Sequence, residues 1–217
     1  EPLKKLKPLF EHPIYYANGF DNPQWPIQTP KGLQWSTWGL TPHWCTSSDQ
    51  KKEINKQTLN ARSETLFEKP AFQQAAQSQH CLVFSTGFFE FQDRQGDKIP
   101  YFIQPNGTDY FLLAGIYDTW CSDSSGDIEH SFSIVTCPAN TTMAEIHNTK
   151  QRMPVILSPE QGKAWLSGGN TPPSAQHILN PCPEHWLQAH TVSKKLLKSN
   201  SPQSILPYDY PIQGSLF

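Results

Sequence analysis

The side chains in this sequence with the types and spacing for chemistry fall in a few short clusters. Glu90 stands in Gly87-Phe88-Phe89-Glu90-Phe91, a carboxylate among aromatic rings. In a strand its same-face neighbours are Phe88 and Gln92, with Phe89 and Phe91 opposite. A carboxyl desolvated in this way resists ionisation and can pass a proton near neutral pH. A strand-edge glutamate pointing into water is the competing reading. Ile146-His147-Asn148-Thr149-Lys150-Gln151-Arg152 puts a histidine at a predicted helix C-terminus, where the helix dipole favours its protonated form, and follows it with two cations. That set suits a phosphate, although a capping histidine beside solvated charges has the same pattern.

Asn60-Ala61-Arg62-Ser63-Glu64-Thr65 gathers an amide, a guanidinium and a carboxylate just before an apolar helix. Read alone, its simplest meaning is a helix entry with a surface ion pair, an arrangement that contributes little energy. Trp35, Trp38 and Trp44 precede it in the chain. Such rings stack on unpaired bases, but their commoner role is core packing. Cys137 lies ahead of a predicted helix, with His147 available as a base, which is the outline of a cysteine hydrolase. Against that reading, Pro138 follows at once and the preceding strand favours a buried, inert thiol. Cys182, His185 and His190 lack a second ligand pair at zinc-site spacing, so no metal is expected.

These groups must be carried by a mixed, strand-rich scaffold. Twenty Pro, twelve Gly and 12% aromatic residues with 17% charged describe a loop-rich fold rather than a helical bundle. The segment 13–30 is Pro-rich and reads as an extended stretch wrapping the surface. Leu33 to Leu40 reads as a strand, and 47–57 as partly helical. Pro70 suits a first helical position, so a helix is predicted from there to His80. The runs 81–84, 88–91, 101–103, 110–116 and 131–136 are short and β-prone, with Gly, Asp, Asn and Pro between them, and predict an antiparallel meander. A helix is expected over 141–147 from the Thr142/Glu145 spacing, a strand over 153–157, and a helix over 159–166 capped by Ser158 and Gln161. A last short helix is predicted near 184–189. No internal repeat and no domain boundary is visible, so one α+β domain is expected over 1–217.

A net charge of −2 excludes a surface coated in positive charge, so any nucleic-acid site must be local. Five cysteines without a CxxC pair suit reduced thiols in a cytosolic protein. No apolar run approaches the ~20 residues that span a bilayer, so no membrane partner is expected. The sequence opens at Glu1-Pro2 rather than at Met, which implies that it starts inside the natural protein.

Five blocks taken in order resemble the SOS response-associated peptidase (SRAP) family. They are Trp38-Gly-Leu-Thr-Pro-His-Trp44, Asn60-Ala-Arg-Ser-Glu-Thr65, Gly87-Phe-Phe-Glu90, Thr136-Cys-Pro-Ala-Asn140 and Ile146-His-Asn148 with Arg152-Met-Pro154. The resemblance implies an antiparallel, barrel-like core with peripheral helices and a positively lined groove for single-stranded DNA. It implies that Asn60 positions a nucleophile, Arg62 holds a DNA phosphate, Glu90 acts as acid and base, and His147 assists at the sugar. Trp35, Trp38, Lys150 and Arg152 are expected along the DNA. The family nucleophile is the cysteine after the initiator Met, expected upstream of residue 1. It captures an abasic site as a thiazolidine after self-cleavage exposes it, and no metal or organic cofactor is needed. A non-covalent single-stranded DNA-binding module is the alternative. A cytoplasmic monomer that joins the nucleoid on DNA damage is expected.

Overall fold

The computed structural model describes residues 13–122, 126–168, 175 and 177–211. Five strands close on themselves: β1 (Gln24–Thr29), β2 (Gly32–Trp38), β4 (His80–Ser85), β7 (Phe111–Cys121) and β8 (Ile128–Pro138). The ring runs β7-β4-β1-β2-β8 and returns to β7, so none of the five keeps a full open edge. β3 (Asn60–Arg62), β9 (Arg152–Pro154) and β10 (Ile156–Leu157) extend it at one end. A second sheet, in the order β11-β6-β5, consists of β5 (Phe88–Arg94), β6 (Asp97–Pro105) and β11 (Leu187–Thr191). The helices are α1 (Ser48–Asn55), α2 (Gln73–Ser78), α3 (Thr141–Ile146) and α4 (Pro159–Leu166). The molecule is therefore α+β with a barrel core and peripheral helices.

Ile27, Cys81, Val83, Leu113 and Phe132 share the inward face of the barrel strands by register and are at or near zero exposure, while Ala61, Ile116 and Val135 are equally buried on the opposite face, which they share with His80. Trp165 of α4 closes the outer side of β7. Its indole N–H donates to the Gly115 carbonyl at 2.9 Å, and its ring packs on His80 at 4.1 Å between centroids. β8 organises the rest. On one edge it takes β2 and then β3, both parallel; on the other it takes β7 and then β9, both antiparallel.

Several expectations change in three dimensions. The runs expected to form one antiparallel meander do pair antiparallel, but in two sheets, β4, β7 and β8 in the barrel and β5 with β6 in the second sheet, and β2 and β3 add parallel pairings to β8. The Pro-rich segment does not simply wrap the surface, since Gln24–Thr29 is a barrel strand paired to both β2 and β4. The helix expected from Pro70 to His80 is confined to Gln73–Ser78. His80 instead opens β4 opposite Ile116, so strand pairing overrides helix propensity there. The N-cap of α3 is Asn140, whose side chain accepts from the Met143 N–H at 3.0 Å, and not Thr142. The strand over 153–157 is split at Val155. The helix expected near 184–189 is one 3-10 turn followed by β11, whose backbone groups pair with β6. The Ser158/Gln161 capping box of α4 is present as expected. A short basic stretch in the sequence, Lys4-Lys5-Leu6-Lys7, lies outside the described residues.

Two glycines in the sequence blocks permit close approach. At Gly39 (φ +117°) a Cβ would lie 2.8 Å from the Asn55 carbonyl. At Gly87, just before β5, a Cβ would lie 2.2 Å from the Phe102 ring and 2.7 Å from the Ile103 carbonyl. The second contact is with backbone and cannot be relieved by a rotamer change. Gly87→Ala should therefore destabilise the fold by roughly 1–3 kcal/mol, as overpacking does, and should lower the urea midpoint with an unchanged slope.

Candidate functional site

The site residues gather at the end of the barrel where β8 runs out into α3. Glu90 lies in the middle of β5, opposite Tyr101 on β6. β5 is an outer strand of its sheet, and its open edge is met by the end of α3. His147 is the C-cap of that helix, its backbone N–H donating to the Met143 carbonyl. Its Nδ1 lies 3.4 Å from Glu90 Oε2 and 3.0 Å from the Arg152 carbonyl. A carbonyl oxygen can only accept, so Nδ1 carries the hydrogen in that bond and Nε2 is the open nitrogen of the neutral ring. Glu90 Oε1 accepts from the Phe91 N–H at 3.1 Å.

Both partners are largely covered, with side-chain exposures of 22% for Glu90 and 16% for His147. Burial raises the Glu90 carboxyl above the ordinary carboxylate range, while His147, the Phe91 amide and Lys150 pull it back without cancelling the shift. The water-facing alternative for Glu90 does not hold. A carboxyl that keeps its proton longer than usual, beside an imidazole, can donate and retrieve a proton.

Arg152 on β9 belongs to a second group. Its guanidinium donates to both oxygens of Glu64, to the Thr136 carbonyl at 2.8 Å and to Thr136 Oγ1 at 3.2 Å. Those bonds hold the Glu64 carboxyl down at about 2. The ion pair of the Asn60–Thr65 cluster is thus made to a strand 88 positions along the chain, not to Arg62. Arg152 Nε is buried with no hydrogen-bond partner among the described residues.

Asn60 and Arg62 share the exposed face of β3, level with Ile134 and Thr136, with buried Ala61 between them turned the other way. Both are exposed, and Arg62 makes no ion pair among the described residues. Lys150 is exposed in the loop after His147 and close enough to act on Glu90. Trp38 is half-buried, its N–H donating to the Leu59 carbonyl at 2.9 Å and its ring stacked on Phe132. Trp35 is more open, at 37% exposure. It lies about five strand positions from Asn60 along the β8 edge, or ~17 Å. Trp44 is also exposed and reaches the Pro70 carbonyl.

Cys137 is fully buried on β8, opposite Met153, and burial pushes its thiol up to about 12. It does not stand at a helix N-terminus, and His147 turns Nδ1 to Arg152 and Glu90. The internal-thiol hydrolase loses its nucleophile on both counts. Sequence reasoning passed over Thr136, Gln92 and Asn148, which hold the named residues in place. The only local signal was their position inside or beside the blocks already singled out.

The chain matches the family model described as SOS response associated peptidase (SRAP) over residues 8–199. It is 36% identical over 172 residues to the abasic site processing protein YoqW of Bacillus subtilis, covering 77% of this chain and 73% of that protein. Against the abasic site processing protein HMCES of Pongo abelii it is 30% identical over 210 residues, covering 82% of this chain and 58% of that one. A solved structure of a protein from Bacteroides thetaiotaomicron superposes with a TM-score of 0.85 at 36% identity, covering 88% of this chain and 84% of that one.

The two carboxyls should affect stability in opposite ways. Glu90, raised in the folded state, contributes stability below its ordinary value near 4.5 and loses it as the pH rises through its folded value. Glu90→Gln should therefore match the wild type in urea near pH 4 and exceed it at pH 7 to 8. Glu64, depressed in the folded state, contributes above 4.5 and loses that as the pH falls towards about 2. Glu64→Gln should flatten the loss of thermal stability across that acidic window.

Proposed function

Because the chain belongs to the SOS response associated peptidase (SRAP) family, we propose that it processes abasic sites, binding single-stranded DNA and capturing the damaged sugar as a covalent crosslink. The observation that carries this reading is the covered Glu90–His147 pair at 3.4 Å, facing the end of the barrel that also presents Asn60 and Arg62. The two relatives named above are both described as abasic site processing proteins.

In this reading the ring-opened sugar offers an aldehyde to an N-terminal cysteine. The amine adds to the carbonyl carbon, water leaves to give an imine, and the thiol adds to the imine carbon to close a thiazolidine. The departing hydroxyl needs a proton and the nitrogen must lose one, and Glu90 performs both transfers. His147 keeps its Nδ1 hydrogen on the Arg152 carbonyl, leaving Nε2 for the sugar. Asn60 orients the nucleophile through its carboxamide. The same Glu90 serves the self-cleavage that frees the cysteine. The nucleophile is none of the five internal thiols in this reading. Cys45, Cys81, Cys137 and Cys182 are buried. Cys121 sits at the opposite end of β8's pairing with β7, ~27 Å from the level of Thr136 by strand rise.

Arg62 and Lys150, both exposed, take the phosphates on either side of the site, while Arg152, paired with Glu64, forms the wall behind them. Trp35 offers a face to a base of the strand, whereas Trp38, on the opposite face of β2, supports the site from within by its stack on Phe132. With a net charge of −2, this local cluster supplies the attraction rather than the whole surface.

The test is a denaturing gel of the full natural reading frame with a single-stranded oligonucleotide carrying one abasic site. A shifted band should appear with that strand and not with an intact one. Glu90→Ala and Asn60→Ala should slow its appearance by roughly 10²-fold, while Arg62→Ala should weaken binding most at low salt and flatten its salt dependence. Binding without any band that survives denaturation would leave a non-covalent single-stranded DNA module instead.

A further inference from the structure

We infer that Asn148 is a positioning residue that stands in for a missing strand on the open edge of β5 and thereby sets His147 against Glu90. The inference rests on the reading of Glu90 and His147 as the proton-transfer pair. Among the described residues β5 pairs on one side only, with β6. In an antiparallel pair, alternate residues turn both backbone groups away from the partner. On β5 the outward groups include those of Phe91 and Asp93, and an unpaired strand edge is open to whatever can bond it.

Two side chains occupy that edge. Glu90 Oε1 takes the Phe91 N–H at 3.1 Å. One repeat further on, the Asn148 carboxamide meets Asp93 with both of its ends. Oδ1 accepts from the Asp93 N–H at 2.9 Å, and Nδ2 donates to the Asp93 carbonyl at 2.8 Å. A carboxamide has the donor and acceptor of a peptide group in one plane, so Asn148 completes one rung of a ladder that no strand among the described residues supplies. Gln92 adds a third bond, its Nε2 donating at 2.9 Å to the Glu145 carbonyl, one of the last carbonyls of α3. Gln92 Oε1 is itself held by Arg94 Nε at 2.7 Å and by the Tyr101 hydroxyl at 3.3 Å.

These bonds span the contact that matters. They run from residues 92 and 93, just after Glu90, to residues 145 and 148, on either side of His147. Among the described residues no backbone-to-backbone hydrogen bond joins β5 to α3 or to the loop that follows it. The helix is only six residues long, and Gln151 beyond it is left-handed at φ 50°. Side-chain bonds therefore fix the approach of His147 to Glu90. The groups facing the Glu90 carboxyl are His147, Lys150 and the Phe91 amide. Tyr101 stands across from it on β6, and Arg152 is turned away to Glu64.

The experiment compares Asn148→Ala and Gln92→Ala with the wild type in two ways. The first is the ¹³C titration of the Glu90 carboxyl in the protein without DNA. Releasing His147 removes the positive neighbour that pulls Glu90 down, so the midpoint should move further up in both variants. The second is capture of an abasic single-stranded oligonucleotide at saturating strand. Its rate should fall by roughly 10-fold, its Glu90-dependent limb should shift to higher pH, and affinity for an intact strand should change by less than about 2-fold, because a positioning residue acts on the rate and not on the binding of the strand. Should Asn148→Ala fail to fold, Gln92→Ala carries the same comparison. An unmoved Glu90 titration in a folded variant would overturn the positioning role whatever the DNA result. No capture by the wild type would instead sink the functional reading, leaving the titration to judge the clamp.

Discussion

The site depends on how one six-residue stretch serves two strands at once. β7 and β8 pair from Cys121 opposite Ile128 as far as Gly115 opposite Ile134, and then part. Each would be left with unpaired backbone groups in a buried place, which costs too much to leave unmet. The chain from Arg152 to Leu157 enters the gap. β9 pairs with β8, β10 pairs with β7, and Val155 between them donates to the Val135 carbonyl and accepts from the Ala114 N–H, both at 2.9 Å. Closing the barrel in this way brings Arg152 beside Thr136 and Glu64. It also brings its carbonyl to His147 through the tight turn in which the Gln151 N–H reaches the His147 carbonyl.

That geometry separates the fates of two carboxyls. Glu64 receives the guanidinium of Arg152 and stays ionised far into acid. Because Arg152 is committed there, it does not compensate for the burial of Glu90, whose positive neighbours are His147 and Lys150. A carboxyl left under-compensated in a covered place is what general acid and base chemistry near neutrality requires. The Glu64–Arg152 pair thus influences the site by withdrawing a charge from it, in addition to pinning β3 to β9.

The blocks that stood out in the sequence divide into structural and chemical members. Asn140 caps α3 and also donates to the Cys182 carbonyl, Gly39 and Gly87 permit close backbone approach, and Trp38 packs on Phe132. Glu90, His147, Asn60 and Arg62 are left facing the open end. For Glu90 the neighbouring rings left burial and a water-facing edge both open, and His147 at the end of α3 decided for burial. The pairing of Glu64 was not legible, because Arg62 two residues away offered a nearer partner on paper. In the fold, Ser63–Thr65 turns as a 3-10 segment while Arg62 stays on the exposed face of β3.

By itself the sequence determined what depends on neighbours a few residues apart. The strand-prone runs, the capping box of α4, the crowding of Glu90 and the helix-end position of His147 all follow from local sterics and hydrogen bonding, which act within a turn or a strand repeat. The order of the blocks was enough to indicate the family. Tertiary structure alone decided that β2 and β3 lie parallel along one edge of β8, that Pro26 belongs to a barrel strand, and that His80 opens a strand instead of ending a helix. It also decided the bonds from Arg152 to Glu64 and from Asn148 to Asp93, across 88 and 55 positions. Such contacts form only after the barrel has closed, when buried backbone and charged groups must find partners among whatever the closure has brought within reach.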